Sequence, residues 1–151
     1  MSSFTGRFSY TVDSKGRIAL PARLRKSLMP TANDTFYITR GFEQCLYGYP
    51  SDEWNRIVET FRSLQFTDPQ HRFFARTFFE WANDSQLDAQ SRIIVPQRLL
   101  EYAKIDKEKE LLIIGVLERF ELWSPAVYEE YQKNQAYTYE TVAEQVFKRQ
   151  L

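Results

Sequence analysis

The chain has one cysteine, Cys45, and one histidine, His71, among its 151 residues. A disulfide within the chain is therefore excluded, and so is a structural zinc centre built from Cys and His ligands. Neither charge is in surplus: 20 Lys and Arg balance 20 Asp and Glu, so total charge gives no argument for a polyanionic partner. Glycine is scarce, with five in all, and none falls in a phosphate-cradling Gly-rich loop or a Gly-x-Ser-x-Gly nucleophile elbow. No apolar run approaches the roughly 18 residues that cross a bilayer. Met1-Ser2-Ser3-Phe4 leads into patterned strand with neither a basic nor an apolar leader region, and the expected address is cytoplasmic. Nothing in this inventory calls for a metal, a cofactor, a membrane or a catalytic residue.

What is present is enough apolar and aromatic material, 43% and 16% of residues, to bury a core at this length. The charge is unevenly placed. Arg7, Lys15, Arg17, Arg23, Arg25 and Lys26 crowd the first thirty residues against Asp13 alone, while acidic side chains dominate from Asp106 onward.

The basic cluster falls on a segment that occurs twice. Aligning Asp13 with Asp88 also pairs Arg17 with Arg92, Ile18 with Ile93, Pro21 with Pro96, Arg23 with Arg98 and Leu24 with Leu99, all at an offset of 75. After a one-residue shift, Gly41 matches Gly115, Leu46 matches Phe120, Tyr49 matches Trp123 and Trp54 matches Tyr128. Two copies indicate a duplicated small domain, since a solenoid needs three or more units to bury its core. A related pair of copies in turn suggests a pseudo-twofold unit.

Each copy has a legible local order. Phe4, Gly6, Phe8, Tyr10 and Val12 alternate with Thr5, Arg7, Ser9 and Thr11, which is the period of a strand with one buried face. Asp13-Ser14-Lys15-Gly16 is expected to be a tight hairpin turn, the Asp carboxylate accepting backbone N–H groups and Gly16 taking positive φ. Arg17 to Leu20 is the return strand. Pro21 opens a short helix, and a strand pair follows on either side of Gly41. In the second copy Ser91 replaces Gly16; either that turn is reshaped or about 1 kcal/mol of backbone strain is tolerated.

Helices flank the copies. Ser51 is expected to cap a helix carrying Trp54, Ile57, Val58, Phe61 and Leu64 on one face. Asp68-Pro69 and Ser124-Pro125 open two more, and Thr138 precedes an amphipathic finish through Val142, Val146 and Phe147 suited to packing on a neighbouring chain. The expected divisions are 7–54 for the first repeat, 55–81 for a helical connector, 82–125 for the second repeat and 126–151 for a C-terminal helical segment.

Phe4-Thr5-Gly6, Asp13 to Ile18, Pro21, Cys45 to Pro50, Trp54, Asp88 to Pro96 and Phe120 to Trp123 together resemble the MraZ family of bacterial transcriptional regulators. The resemblance runs over about residues 4–131 and requires both spaced copies of the Asp-to-Arg turn. It implies a mainly β fold with flanking helices: a duplicated AbrB-like swapped-hairpin barrel, with chains assembled into a homo-oligomeric ring. It further implies a nucleoid-associated regulator that binds double-stranded DNA at short direct repeats upstream of the division and cell-wall gene cluster, including its own operon. Carried onto matching positions, it makes Lys15, Arg17 and Arg92 the DNA-binding residues and Asp13, Gly16 and Asp88 the residues that structure the turns. Arg7, Arg23, Arg25, Lys26 and Gln90 are the neighbouring candidates for phosphate contact. The second turn has Gln90 where the first has Lys15.

Other assignments stay open on the residues alone. Arg17 and Arg92 would also serve as structural ion-pair partners of Asp13 and Asp88, and Arg23, Arg25 and Lys26 as a solvated helix face. A protein-interaction module is the first alternative function, and a hydrolase using Asp13 and Asp88 as paired carboxylates is the second.

Overall fold

The computed structural model describes residues 3–150. Met1, Ser2 and Leu151, on which the expected entry and the end of the C-terminal segment fall, lie outside the described residues. The first copy runs β1 (Phe4–Thr11), β2 (Arg17–Ala19), α1 (Ala22–Arg25), a 3₁₀ turn (Pro30–Ala32), β3 (Thr35–Arg40) and β4 (Leu46–Pro50). Two helices follow, α2 (Ser51–Arg62) and α3 (Pro69–Glu80). The second copy repeats the order as β5 (Asn83–Gln86), β6 (Arg92–Ile94), α4 (Gln97–Tyr102), β7 (Glu110–Leu117) and β8 (Arg119–Trp123), then α5 (Pro125–Lys133) and α6 (Tyr139–Gln150).

The strands do not pair within their own copies alone. A six-stranded antiparallel sheet has the order β1-β7-β8-β4-β3-β5, and β2 pairs with β6 in a separate ribbon. The first strand of each copy therefore lies on the third strand of the other, with Phe8 opposite Ile113 and Phe36 opposite Ser85. At the centre of the sheet Tyr47 of β4 faces Glu121 of β8, and in the ribbon Ile18 faces Ile93. In each place a residue meets its own counterpart from the other copy, so both registers are symmetric about a local two-fold.

This arrangement corrects two expectations. Asp13 to Gly16 was expected to return β2 onto β1 as a hairpin, but β2 spends its backbone groups on β6. A closed barrel was expected as well, but the sheet is open: β1 and β5 are its opposite edges, and no β1–β5 pairing joins them among the described residues. Both differences have one physical cause. The chain leaves each edge strand at an Asp turn and enters the ribbon, whose two strands satisfy each other, so nothing bridges the edges. The Ser85 hydroxyl on β5 adds an acceptor for the Ile94 N–H on β6 at 2.9 Å.

Alternation along the strands assigns the two faces. Ile18, Leu24, Phe36, Ile38, Leu46, Ile93, Leu99, Leu111, Ile113, Phe120 and Leu122 form one buried cluster beneath the ribbon, α1 and α4. Tyr47, Tyr49, Leu112 and Trp123 point to the other face, where α2, α3 and α5 supply Trp54, Phe78, Val127 and Tyr128. Trp54 stacks on Tyr37 with centroids 4.8 Å apart and on Phe78 at 5.5 Å, so the aromatic stripe of α2 belongs to the core. Gly48 leaves room for Phe120, since a Cβ there would run into that ring.

The helix starts follow local chemistry with one correction. Asp68 accepts from the Gln70 N–H at 2.8 Å, and the Ser124 hydroxyl accepts from Val127 N–H at 3.5 Å, as N-caps do. Ser51 does not cap α2. Pro50 holds the cap position without a side-chain bond, and the Ser51 hydroxyl donates to the Ala32 carbonyl at 2.7 Å. A serine one residue inside the helix has its hydroxyl free to tie α2 to the preceding turn.

Candidate nucleic-acid interface

The two Asp turns are built from the same set of bonds. In the first, Asp13 Oδ1 accepts from the Lys15 and Arg17 N–H groups at 2.9 and 2.8 Å, and Oδ2 accepts from Arg17 Nε at 2.6 Å. In the second, Asp88 Oδ1 accepts from the Gln90 and Arg92 N–H groups at 2.8 and 2.9 Å, and Oδ2 from Arg92 Nε at 2.8 Å. The main chain matches too. Gly16 N–H donates to the Asp13 carbonyl at 3.0 Å and Ser91 N–H to the Asp88 carbonyl at 2.9 Å.

The open question about Ser91 is thereby settled. Gly16 has φ of 79° and Ser91 has φ of 60°, so the second turn keeps its shape and carries the strain. Each of these residues also uses its carbonyl across the ribbon, Gly16 O accepting from Val95 N–H and Ser91 O from Leu20 N–H. Sequence reasoning missed this reciprocal clamp; its signal was the constant offset, which makes any bond from one copy recur from the other.

The carboxylates are held as anions. The Arg17 N–H above all, with the Arg17 guanidinium and the Lys15 N–H, outweighs partial desolvation and brings the Asp13 carboxyl down to about 2. The Arg92 N–H chiefly, with the Arg92 guanidinium and the Gln90 N–H, lowers Asp88 in the same way. An Asp fixed by three donors stays ionised near neutral pH and has no proton to give as a general acid. Its role is to orient an arginine: with Nε bound to the carboxylate, the four N–H donors on Nη1 and Nη2 remain outside that bond.

Because Arg17 lies opposite Ile94 and Ala19 opposite Arg92, the ribbon's alternation sets both arginines on the face opposite the buried Ile18 and Ile93. Arg92 Nη1 also reaches to 3.9 Å from Asp13 Oδ2, joining the two turns across the axis. Ile94 shares this outer face and is 53% exposed. It too escaped the sequence reasoning; its signal was two isoleucines in succession, which a strand sets on opposite faces.

The other basic residues divide by position. Lys15 is exposed at the tip of its turn, and Gln90 is exposed at the matching position. Arg25 turns its Nε onto the Leu20 carbonyl at 3.1 Å, Arg23 reaches Thr5 Oγ1 at 3.2 Å, and Arg7 lies over the Tyr128 ring at 5.6 Å. Lys26 is exposed at the end of α1. Cys45 is fully buried, and His71 Nδ1 accepts from the Gln65 N–H at 2.9 Å between α2 and α3. No group of three or more His, Cys, Asp and Glu residues able to hold a metal ion occurs among the described residues. No helix there is long and apolar enough to cross a membrane.

Comparison with known proteins agrees with the duplication. A family model described as "MraZ protein, putative antitoxin-like" matches residues 3–77 and again 78–150. The chain is 40% identical over 141 residues to the "Transcriptional regulator MraZ" of Desulfitobacterium hafniense (strain Y51), covering 93% of this chain and 94% of that protein. It is 41% identical over 143 residues to the protein of the same name from Moorella thermoacetica, covering 95% and 96%. The corresponding protein of Desulforamulus reducens is 39% identical over 143 residues, with the same coverage.

Proposed function

The chain belongs to the MraZ family, and on that premise we propose that it is a sequence-specific DNA-binding regulator of transcription and not an enzyme. The observation that carries the proposal is the pair of Asp-oriented arginines on one outer face of the β2–β6 ribbon. Arg17 and Arg92 present guanidinium forks of the kind that match O6 and N7 of guanine in a major groove. Lys15 supplies a point charge for phosphate, with Arg7, Arg23, Arg25, Lys26 and Gln90 as flanking contacts. Ile94 offers an apolar surface to a thymine methyl group. Asp13, Gly16 and Asp88 shape the turns without touching DNA, because a carboxylate facing phosphates is repelled.

Each repeat, 7–54 and 82–125, contributes one turn to a unit of AbrB-like swapped-hairpin type. The reading is supported by the lodging of β1 on β7 and of β5 on β3. One such unit buries little DNA surface and binds weakly. Assembly of chains into a ring makes later contacts intramolecular, and short direct repeats upstream of the division and cell-wall gene cluster, including the chain's own operon, are the matching partners. A neutral chain can thus act at the nucleoid through a local basic face and avidity.

The test is fluorescence anisotropy with the DNA upstream of the protein's own gene, a scrambled fragment and a salt series. Sequence-dependent binding that falls by orders of magnitude between about 50 and about 200 mM salt is expected. Arg17→Ala should cost about ten-fold or more in specific affinity while circular dichroism and oligomer size stay unchanged. Equal weak binding to both fragments would overturn the proposal and favour a protein partner.

A further inference from the structure

A reader with true two-fold symmetry binds its DNA equally well in either direction and prefers a palindrome. The outer face of the β2–β6 ribbon is not such a reader, because its backbone bonding is symmetric and its side chains are not. The antiparallel register puts Arg17 beside Ile94 and Arg92 beside Ala19. Each turn tip adjoins the arginine of its own copy, so Lys15 belongs with Arg17 and Gln90 with Arg92. One end of the face is therefore made of Lys15, Arg17 and Ile94, and the other of Gln90, Arg92 and Ala19. Only the arginine is common to both ends. An ammonium at one corresponds to an amide at the other, and an exposed isoleucine corresponds to a half-buried alanine.

The two arginines are not equivalent either. Arg17 Nε holds Asp13 at 2.6 Å, and Arg17 makes no ion pair with Asp88 among the described residues. Arg92 Nε holds Asp88 at 2.8 Å while its Nη1 lies 3.9 Å from Asp13, so a second carboxylate draws part of its fork across the axis. Reading O6 and N7 of guanine takes two donors of one fork, and Arg17, engaged with the carboxylate of its own turn alone, is the freer of the two. Beside it Ile94 supplies the larger apolar contact for a thymine methyl group. At the other end Gln90 carries an amide, the group that pairs with N6 and N7 of adenine. The flanking helices break the symmetry again. Arg98 of α4 is paired with Glu80 at 3.5 Å and lies over the Trp81 ring at 3.6 Å, whereas its counterpart Arg23 of α1 bonds the neutral Thr5 hydroxyl.

We infer that the ribbon reads DNA with a fixed polarity: the Lys15, Arg17 and Ile94 end takes a guanine with a thymine beside it, and the Gln90, Arg92 and Ala19 end reads the weaker half of the element. This rests on the DNA-binding reading of the same face and specifies its specificity. The element recognised by one unit is then non-palindromic. Arg17 is its principal base-reading residue, and Ile94 and Gln90 decide which way round the unit lies. Phosphate contacts from the surrounding basic residues position the unit but carry no sequence information, so the polarity comes from these few side chains.

Directed DNA cleavage tests the polarity with the full-length chain. Ser14 and Ala89 are matching exposed residues at the two turn tips. Ser14→Cys and Ala89→Cys are each labelled with an iron chelate, the native Cys45 being buried, and bound to the DNA upstream of the protein's own gene. Each variant is expected to cut one flank of every bound repeat at least five-fold more than the other flank, and the two variants should cut opposite flanks. A second measurement needs no label. Replacing the thymines of a repeat one at a time by deoxyuridine, which lacks only the methyl group, should weaken wild-type binding about four-fold at one position, the worth of one buried methyl group. Ile94→Ala should be insensitive to that same exchange, and Arg17→Ala should lose more specific affinity than Arg92→Ala. Equal cutting of both flanks by each variant would overturn the polarity and leave DNA recognition standing. A wild-type protein indifferent to every deoxyuridine would overturn the role of Ile94. Binding that does not depend on sequence would overturn both readings of the face.

Discussion

Substituting Ser91 by glycine should stabilise the protein, although it removes a side chain. Ser91 is held at φ of 60°, where an L-residue with a Cβ sits at a cost of roughly 1–2 kcal/mol. Glycine escapes that cost but gains freedom in the unfolded chain, which takes back about 0.4–1 kcal/mol. The net gain is about 0.5–1 kcal/mol, or roughly 1–4 °C in Tm for a chain of this size. Gly16→Ala probes the mirror position. Its φ is 79°, and an added Cβ would lie 2.9 Å from the Val95 carbonyl oxygen. That oxygen is backbone on the continuation of β6, locked by the Val95 N–H bond to Gly16 O, so it cannot swing aside. Gly16→Ala should lose about 1–2 kcal/mol after the unfolded-state offset, or roughly 2–8 °C. Scanning calorimetry at one fixed protein concentration measures both, because assembly makes Tm depend on concentration. A lower Tm for Ser91→Gly, or an unchanged Tm for Gly16→Ala, would refute the argument that both turns are held left-handed by the ribbon.

Two further predictions concern titration and reactivity. The Asp13 pKa is depressed in the fold from 3.8 to about 2, so its stabilisation is complete above about pH 4 and is lost as the pH falls through 2. Asp88 is shifted in the same direction. Urea midpoints of the wild type should therefore drop between pH 4 and pH 2 more steeply than those of Asp13→Asn, Asp88→Asn; equal slopes would show that the carboxylates are not held by the turns. Burial, with the charges of Glu121 and Glu43, pushes the Cys45 thiol upward. A thiol reagent at pH 8 should label the folded protein at least a hundred-fold more slowly than the urea-unfolded chain, and comparable rates would contradict the buried position.

Much of the local structure was legible because it depends on neighbours within a few residues. An Asp followed by two residues and then a glycine or serine specifies an acceptor placed for the coming N–H groups, and Asp13 and Asp88 make the expected bonds. The alternation of Phe4, Phe8, Tyr10 and Val12 with Thr5, Arg7, Ser9 and Thr11 told which side chains of β1 face inward. The Ser51 cap was misplaced by one position, within the usual uncertainty of helix ends, and the hydroxyl found a tertiary partner in Ala32 instead. Ile94 was overlooked for a different reason: its neighbour Ile93 satisfied the apolar pattern, and its exposure matters only once the ribbon places it opposite Arg17.

From sequence alone came the duplication, the two Asp-clamped arginines, the apolar faces of the helices and the family resemblance, because each is a relation of spacing along the chain. Tertiary structure decided which strands pair. Period-two alternation specifies a buried face but not the partner lying alongside, and a symmetric repeat presents two equivalent partners for every strand. Packing resolved that choice by placing Ile18 against Ile93 and Tyr47 against Glu121. The same step made the ribbon, left the sheet open and set Arg17 and Arg92 on one face. It also separated two helices that hold corresponding places in the repeat, since α3 has aromatic rings to fold onto and α6 does not.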